Sequence, residues 1–230
     1  MMTVLANLEY YLRSHLDQLR YILLAEVSLL ITSLIVFRNP SSYSFSGQKT
    51  VSSIIFGGIC FLGVIAGIFP KLCSLKHGID TQGGDEVAGH HPNCGKFTGH
   101  TINLGENLFC AGCSGLVLGA LISLILLFSG FYPVNAAKGF WLGCLLTGLG
   151  LAQHLIDLNS KWIHLILNVG FVTGSWFMFG AIQLMDLGFF VSAYFLSVTV
   201  FWIYVRISVS QLTHVGVCKN CSEACKYRFE

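Results

Sequence analysis

The chain has 230 residues, of which 54% are hydrophobic and only 10% are charged, and its mean hydropathy is +0.70. Soluble domains carry about 25% charged residues, so an ordinary water-soluble enzyme is nearly excluded. The formal net charge of +2 is spread along the chain, which argues against both intrinsic disorder and nucleic-acid binding. The composition indicates a polytopic protein embedded in a lipid bilayer.

The N-terminal segment has the pattern of an amphipathic helix. Charged residues occupy one side and leucines recur on the other at helical spacing, namely Leu5, Leu8, Leu12, Leu16 and Leu19. Such a helix lies on the membrane with its apolar face in the lipid. We therefore predict an interfacial helix over residues 1–20.

Six apolar runs are long enough to be membrane-spanning helices, because a hydrocarbon core about 30 Å thick needs about 20 apolar residues. They are Tyr21 to Phe37, Val51 to Phe69, Leu108 to Phe131, Gly139 to Ile156, Ile163 to Met185 and Leu187 to Val205. We predict an all-α membrane helical bundle with six transmembrane helices. The first two spans lie in residues 21–69 and the other four in residues 108–209.

Residues inside these runs indicate how the spans pack. Small residues recur four apart, as in helices that approach closely in lipid, at Gly63 and Gly67, at Ala111, Gly115 and Gly119, and at Gly139 and Gly143. Three ionisable residues, Glu26, Asp186 and Arg206, are close to the ends of runs. We expect their side chains to reach the membrane interface.

The distribution of lysine and arginine predicts the orientation. With six spans both termini share a side, and that side collects ten of the 13 basic residues. The opposite side has only Arg38, Lys49 and Lys138. Positive charge is retained in the cytoplasm, so we expect a multi-pass protein of the inner (plasma) membrane with both termini cytoplasmic.

The cytoplasmic loop over residues 70–107 leads into a pattern of metal ligands. His91-x2-Cys94 is followed, after fifteen residues, by Cys110-x2-Cys113. This is the spacing of a zinc ribbon in which histidine replaces one cysteine. His100 and His90 are also within reach, so the fourth ligand stays open. Cys110 and Cys113 fall in the first turn of a span, where the helix dipole favours thiolate.

A second cluster occupies the tail over residues 210–230. Its members are His214, Cys218, Cys221 and Cys225. Three thiolates and one imidazole fit zinc, and the same cysteines fit an iron–sulfur cluster. The loop and tail cysteines form two sites, one shared site or a binuclear one. Disulfides and thiols without a role are the alternatives to metal binding.

A third group of polar residues brackets the turn between the fourth and fifth runs. A spacing of three and four residues, typical of one helix face, joins His154, Asp157, Lys161, His164 and Asn168, with Gln153 alongside. Ionisable groups at membrane depth usually face a cavity or one another, so Gln153, His154, Asp157 and His164 are candidates for a proton or ion relay. The alternative is a set of hydrogen bonds between helices.

The segment from Cys94 to Gly119 resembles a family of small prokaryotic membrane proteins classified as a domain of unknown function. The matching motif residues are Cys94, Gly105, Cys110, Cys113, Ser114 and Gly115, with Gln153 in a later span. Gly95 stands where that family tends to have histidine, and Ala111-Gly112 lacks the arginine usual there. The resemblance covers about 60 to 80 residues and implies a membrane protein with a paired-cysteine site, without an activity.

Three functions are compatible with these patterns. In the first, a zinc site with four protein ligands is structural and organises a surface for a cytoplasmic partner, a ligand or a second copy of the chain. In the second, the Cys110 and Cys113 pair or the tail cluster performs thiol or electron-transfer chemistry on a lipid-soluble substrate. In the third, the cysteines capture a soft metal ion, and His154 with Asp157 passes it through the membrane.

Overall fold

The computed structural model describes residues 2–38, 45–69, 98–104, 107–155 and 160–219. This part of the chain forms six α-helices, which are α1 Met2–Arg38, α2 Gln48–Ile68, α3 Ala111–Phe128, α4 Ala136–Ala152, α5 Lys161–Met185 and α6 Phe189–Lys219. All except α4 are long and apolar enough to cross a membrane. The prediction of a helical membrane protein is therefore confirmed at this level.

The first helix differs from its predicted division into two segments. It runs without interruption from Met2 to Arg38, and its membrane-spanning part is His15–Arg38. No helix end separates residues 1–20 from the first span. Within the spanning part, Ile22 and Ala25 are buried, whereas Leu23 and Leu24 are exposed on the face that would contact lipid.

Hydrogen bonds show that the two terminal helices are antiparallel. The Trp202 indole N–H donates to the Ser28 hydroxyl at 2.8 Å, and the Gln18 amide donates to the Thr213 hydroxyl at 3.5 Å. The N-terminal part of α1 therefore lies at the same end of the bundle as the C-terminal part of α6.

Helix α5 lies at the centre because glycines let α3 and α4 approach its backbone. A Cβ atom on Gly115 would lie 2.5 Å from the Leu165 carbonyl oxygen, and one on Gly143 would lie 2.5 Å from that of Gly174. Both distances are far below van der Waals contact, so only glycine fits. The predicted ridges in the third and fourth spans are thus contact surfaces, whereas Gly63 faces open space.

A β-hairpin precedes α3 where the sequence predicted an irregular loop. Strand β1 is Thr101–Leu104 and strand β2 is Asn107–Cys110, paired antiparallel with Thr101 opposite Cys110. A 3₁₀ turn, Thr98–His100, leads into β1. Because β2 is ordered as a strand up to Cys110, the third span begins at Ala111 rather than at the predicted Leu108.

The two ends of the bundle have different polar groups. We call the end that contains Cys110 and Cys113 the cysteine end; the start of α3, the end of α4 and the start of α5 meet there. We call the other end the Asp186 end, where Asp186 forms an ion pair with Lys49 at 3.3 Å. Residues 70–97 of the predicted cytoplasmic loop and residues 220–230 of the predicted tail lie outside the described residues.

Candidate functional site

The junction between the hairpin and α3 positions the paired cysteines. Cys110 ends β2 with extended backbone and caps α3, and its Sγ accepts the backbone N–H of Cys113 at 3.5 Å. Cys110 is buried and Cys113 is partly buried, and both are thiols rather than halves of a disulfide. An N–H donor at a helix start stabilises negative charge on sulfur, so this geometry favours a thiolate.

Arg206 of α6 points into this end of the bundle. Its side chain is buried, and its Nε and Nη2 atoms donate to Asn168 Oδ1 at 3.1 and 2.8 Å. Its Nη1 atom donates to Nε2 of His154. The expectation that Arg206 reaches the membrane interface was wrong, because these interior acceptors bind it between the helices.

The contact with Arg206 also defines the state of His154, which lies in the 3₁₀ turn Gln153–Leu155 beyond the end of α4. Arginine has no acceptor, so the Nε2 atom of His154 must be unprotonated to receive its N–H. The neutral imidazole therefore acts as an acceptor here.

A buried network extends from Arg206 to the start of α5. The Asn168 side-chain amide donates to the His164 carbonyl at 2.6 Å and to Gln153 Oε1 at 3.3 Å. The same Gln153 oxygen lies 3.4 Å from Nδ1 of His164. Because a carbonyl oxygen only accepts, His164 carries its proton on Nδ1 in this contact. The network links α4, α5 and α6 through their side chains.

The cysteines and the network face a common space. A Cβ atom on Gly112 would lie 3.8 Å from Cys110 Sγ, 3.8 Å from Asn168 Nδ2 and 3.9 Å from Arg206 Nη2. Cys113 lies one turn after Cys110, and its backbone N–H donates to the Cys110 sulfur. We call Cys110, Cys113, Asn168 and Arg206 the thiol–guanidinium cluster. Because position 112 is glycine, no side chain separates the sulfur, amide and guanidinium groups of this cluster.

The hairpin contacts the network through a pair of histidines. The rings of His100 and His164 have centroids 4.4 Å apart and are tilted by 30°. His100 was predicted as a metal ligand and His164 as a relay residue. The structure thus brings two groups that the sequence presented separately to one end of the bundle.

The predicted ligands are only partly covered by the structure. His91, Cys94, Cys221, Cys225 and Asp157 lie outside the described residues. Within the described ranges, no three side chains of histidine, cysteine, aspartate or glutamate are grouped so that they could hold a metal ion. The metal sites and the relay therefore stay predictions.

The first two predicted tail ligands belong to helix α6. This helix continues to Lys219, and His214 and Cys218 are eight and twelve residues beyond Arg206. At 1.5 Å per residue their backbone lies about 12 and 18 Å further along a straight helix. Cys221 and Cys225 lie outside the described residues, and the two separate sites, the shared site and the binuclear site all stay predictions.

The sequence predicted Arg206 at the membrane interface and Asn168 in the polar group around the turn, without linking either residue to the cysteines. The signal for Arg206 was available, since an arginine inside an apolar run usually faces the bundle interior. Asn168 is four residues after His164, on the same face of α5, and that spacing was the available signal. The sequence contained no signal that joined them to the cysteines, because α3, α5 and α6 meet only in the folded bundle.

Comparison with known proteins leaves the site to be interpreted from its own geometry. No family model matches the chain, and no curated protein or solved structure matches it.

Proposed function

We propose that this chain is a six-span integral membrane protein with a cytoplasmic Cys/His metal site that holds zinc and has a structural role. The observation that carries the proposal is the position of the Cys110 and Cys113 pair beside buried Arg206 at the cysteine end of the bundle. The metal would fix the preceding loop to the bundle and so form a surface for a partner or ligand.

Support for a sixth span comes from α4. Its 17 residues extend about 25 Å, somewhat less than the hydrocarbon thickness of about 30 Å. The 3₁₀ turn Gln153–Leu155 lengthens it, and glycines along α4 contact α5 at close range, including Gly150 against Phe171. A short span packed against a longer one is shielded from the mismatch with the lipid.

Support for the orientation comes from the grouping of the helix ends. The hydrogen bond between Gln18 and Thr213 brings the N-terminal part of α1 and the C-terminal part of α6 together. The predicted excess of basic residues is on this side, which is the cysteine end. The positive-inside rule then assigns the cysteine end to the cytoplasm.

The charge of Arg206 supports an ionised sulfur. A buried guanidinium needs a negative partner, since an unpaired charge in a low-dielectric interior is costly. The Cys110 sulfur and the Arg206 guanidinium both lie within 4 Å of the position that a Cβ atom on Gly112 would occupy. Thiolates are the form of cysteine that binds metal, and Arg206 would offset part of the negative charge of a zinc–thiolate site.

The hairpin register supports His91 and Cys94 as the remaining ligands. Thr101 lies opposite Cys110, so the chain that enters β1 passes beside the thiols. Cys94 is seven residues before Thr101, and an extended chain of that length covers at most about 25 Å. Both predicted ligands are therefore within reach of the pair. Sulfur and imidazole donors suit zinc, and four of them make a closed structural site.

Metal analysis of anaerobically purified protein tests this proposal. We expect a colourless protein with zinc bound in proportion to the chain, and loss of one zinc ion in Cys113→Ser and in Cys94→Ser. Cys60→Ser and Cys144→Ser are matched controls, because these cysteines are buried inside α2 and α4 and should leave the metal content unchanged. Unchanged zinc in Cys113→Ser would refute the site, and a brown protein would indicate an iron–sulfur cluster instead.

Dithiol redox chemistry is a second candidate, favoured by the N–H donor and the guanidinium at Cys110. In this reaction a thiolate attacks the disulfide of a partner protein and forms a mixed disulfide. The second cysteine displaces the partner thiol, so the pair loses two electrons, the partner gains them, and Cys110 becomes bonded to Cys113.

Alkylation of the cysteines distinguishes the two candidates. If the pair is a redox centre, oxidised glutathione will protect two thiols from alkylation in the wild-type protein and in the Cys144→Ser control. It will not protect two thiols in Cys113→Ser. If the pair binds zinc structurally, protection will follow the zinc content and will be removed by a chelator. Alkylation of both thiols under all conditions would contradict both candidates.

A further inference from the structure

Glu26 is an acidic residue in the middle of a membrane span, and neither proposed function uses it. The spanning part of α1 is His15–Arg38, so eleven residues precede Glu26 in the span and twelve follow it. Its neighbours Leu23, Leu24, Val27 and Leu30 are exposed on the face that would contact lipid. The expectation that Glu26 lies near the end of a span therefore does not agree with the structure.

The Glu26 carboxyl group is directed between α1 and α4. Its Oε2 atom lies 3.4 Å from the position that a Cβ atom on Gly148 would occupy, and Leu29 is at the same distance from that position. Its Oε1 atom is buried and has no hydrogen-bond partner among the described residues. The lack of a side chain at Gly148 leaves the space in which the carboxyl group sits.

The described contacts around Glu26 involve no positive charge. Helix α4 presents Gly148 and, one turn away, Cys144, whose sulfur is hydrogen-bonded to the Ser33 hydroxyl. The contacts described between this part of α1 and α6 include those of Ser28 with Trp202 and of Tyr21 with Tyr204. Neither of the two ion pairs described between Lys or Arg and an acidic side chain involves Glu26.

We infer that Glu26 and the space opposite Gly148 form a proton-binding site inside the membrane, in which the carboxyl group is protonated at neutral pH. A carboxylate without a counter-charge or hydrogen bond in a low-dielectric medium takes up a proton rather than staying ionised. Ionisable residues at this depth mark proton and ion paths. Gly148 is five residues before Gln153, so the site lies about 7.5 Å along α4 from the polar network.

A hydrophobic carbodiimide is a direct probe of such a group. The protonated carboxyl adds across one C=N bond of the reagent, its oxygen to carbon and its proton to nitrogen, and the adduct rearranges to a stable acylurea without losing any atom. The expected product therefore has the mass of the chain plus that of one reagent molecule. Dicyclohexylcarbodiimide enters from the lipid, whereas a water-soluble carbodiimide does not.

The experiment uses the full chain in lipid nanodiscs, with the labelled residue identified by peptide mass. We expect dicyclohexylcarbodiimide to label Glu26 at neutral pH and the water-soluble reagent to leave it unlabelled. Labelling should be lost in Glu26→Gln and retained in Asp186→Asn. Gly148→Leu, which fills the space beside the carboxyl group, should slow labelling at least tenfold, whereas Gly58→Leu, at a position with open space, should not.

Infrared spectroscopy provides a readout that does not depend on entry of the reagent. Wild type should show the carbonyl band of a protonated carboxylic acid at neutral pH, and Glu26→Gln should lack it. If that band is absent from wild type, or if the water-soluble reagent labels Glu26 as fast as the hydrophobic one, the inference is overturned. If Glu26→Gln does not fold, two measurements still test the inference. They are the identity of the labelled peptide in the wild-type protein and the labelling rate of Gly148→Leu.

Discussion

The cysteine end and the Asp186 end of the bundle both join helices through charged side chains, but they do so in different surroundings. At the Asp186 end, the side chains of Lys49 and Asp186 are 54% and 59% exposed. At the cysteine end, Arg206 is only 7% exposed and is bound by Asn168 and His154. The first pair is exposed to solvent, and the second group is enclosed between helices.

This difference in exposure determines what each contact contributes. An exposed ion pair stabilises a protein by about 0 to 1 kcal/mol, because water competes for both charges. A buried charge that loses a partner costs about 3 to 5 kcal/mol, because nothing replaces the lost interaction. The cysteine end is therefore the one whose polar groups depend on one another, and three matched pairs of substitutions test the comparison.

The largest effect is expected for Arg206→Met. The substitution removes the donors that satisfy Asn168 and His154 and the charge that faces the thiols, so we expect the free energy of unfolding to fall by about 3 kcal/mol. Lys49→Met at the Asp186 end is the matched control and should change it by less than about 1 kcal/mol. Unfolding measured in lipid bicelles compares the two, and equal losses would contradict the distinction between the ends.

A smaller effect is expected from two asparagines, one at each end. Asn168→Ala leaves the buried guanidinium without its main acceptor and should cost about 2 kcal/mol. Asn135 caps α4 at the Asp186 end by accepting the Lys138 N–H at 3.0 Å, and Asn135→Ala should cost about 1 kcal/mol. Only Asn168→Ala should also change the reactivity of Cys113 toward alkylating reagents. A larger fall in the free energy of unfolding in Asn135→Ala than in Asn168→Ala would contradict this ranking of the two ends.

The smallest effect is expected from packing at the cysteine end. Gly115→Ala places a methyl group 2.5 Å from the Leu165 carbonyl oxygen, which forces α3 away from α5 at a cost of about 1 kcal/mol or slightly more. Gly63→Ala, at a helical position with open space, should be neutral or stabilising. Thermal unfolding in detergent measures both variants. An unchanged unfolding temperature in Gly115→Ala would show that this close contact between α3 and α5 is not needed for stability.

The helical class and most of the helix positions were predictable from local pattern. Long apolar runs require helices in a bilayer because every backbone N–H and C=O group must be bonded within the segment. The hairpin over residues 101–110 was not predicted, since two strands of only four residues each have no sequence pattern that distinguishes a strand pair from a loop. The burial of Arg206 was not predicted, because its position near the end of an apolar run does not show that its side chain points between the helices.

The apolar runs and the residue spacing of the chain establish a helical membrane protein with Cys110 and Cys113 three residues apart at the start of a helix. That Arg206, Asn168 and His154 lie at the same end of the bundle as this pair follows from the folded arrangement of the helices. The reason is physical, since the residues come from helices separated by up to about a hundred positions along the chain and interact only where glycines let those helices touch. The same close packing places the Glu26 carboxyl group beside Gly148.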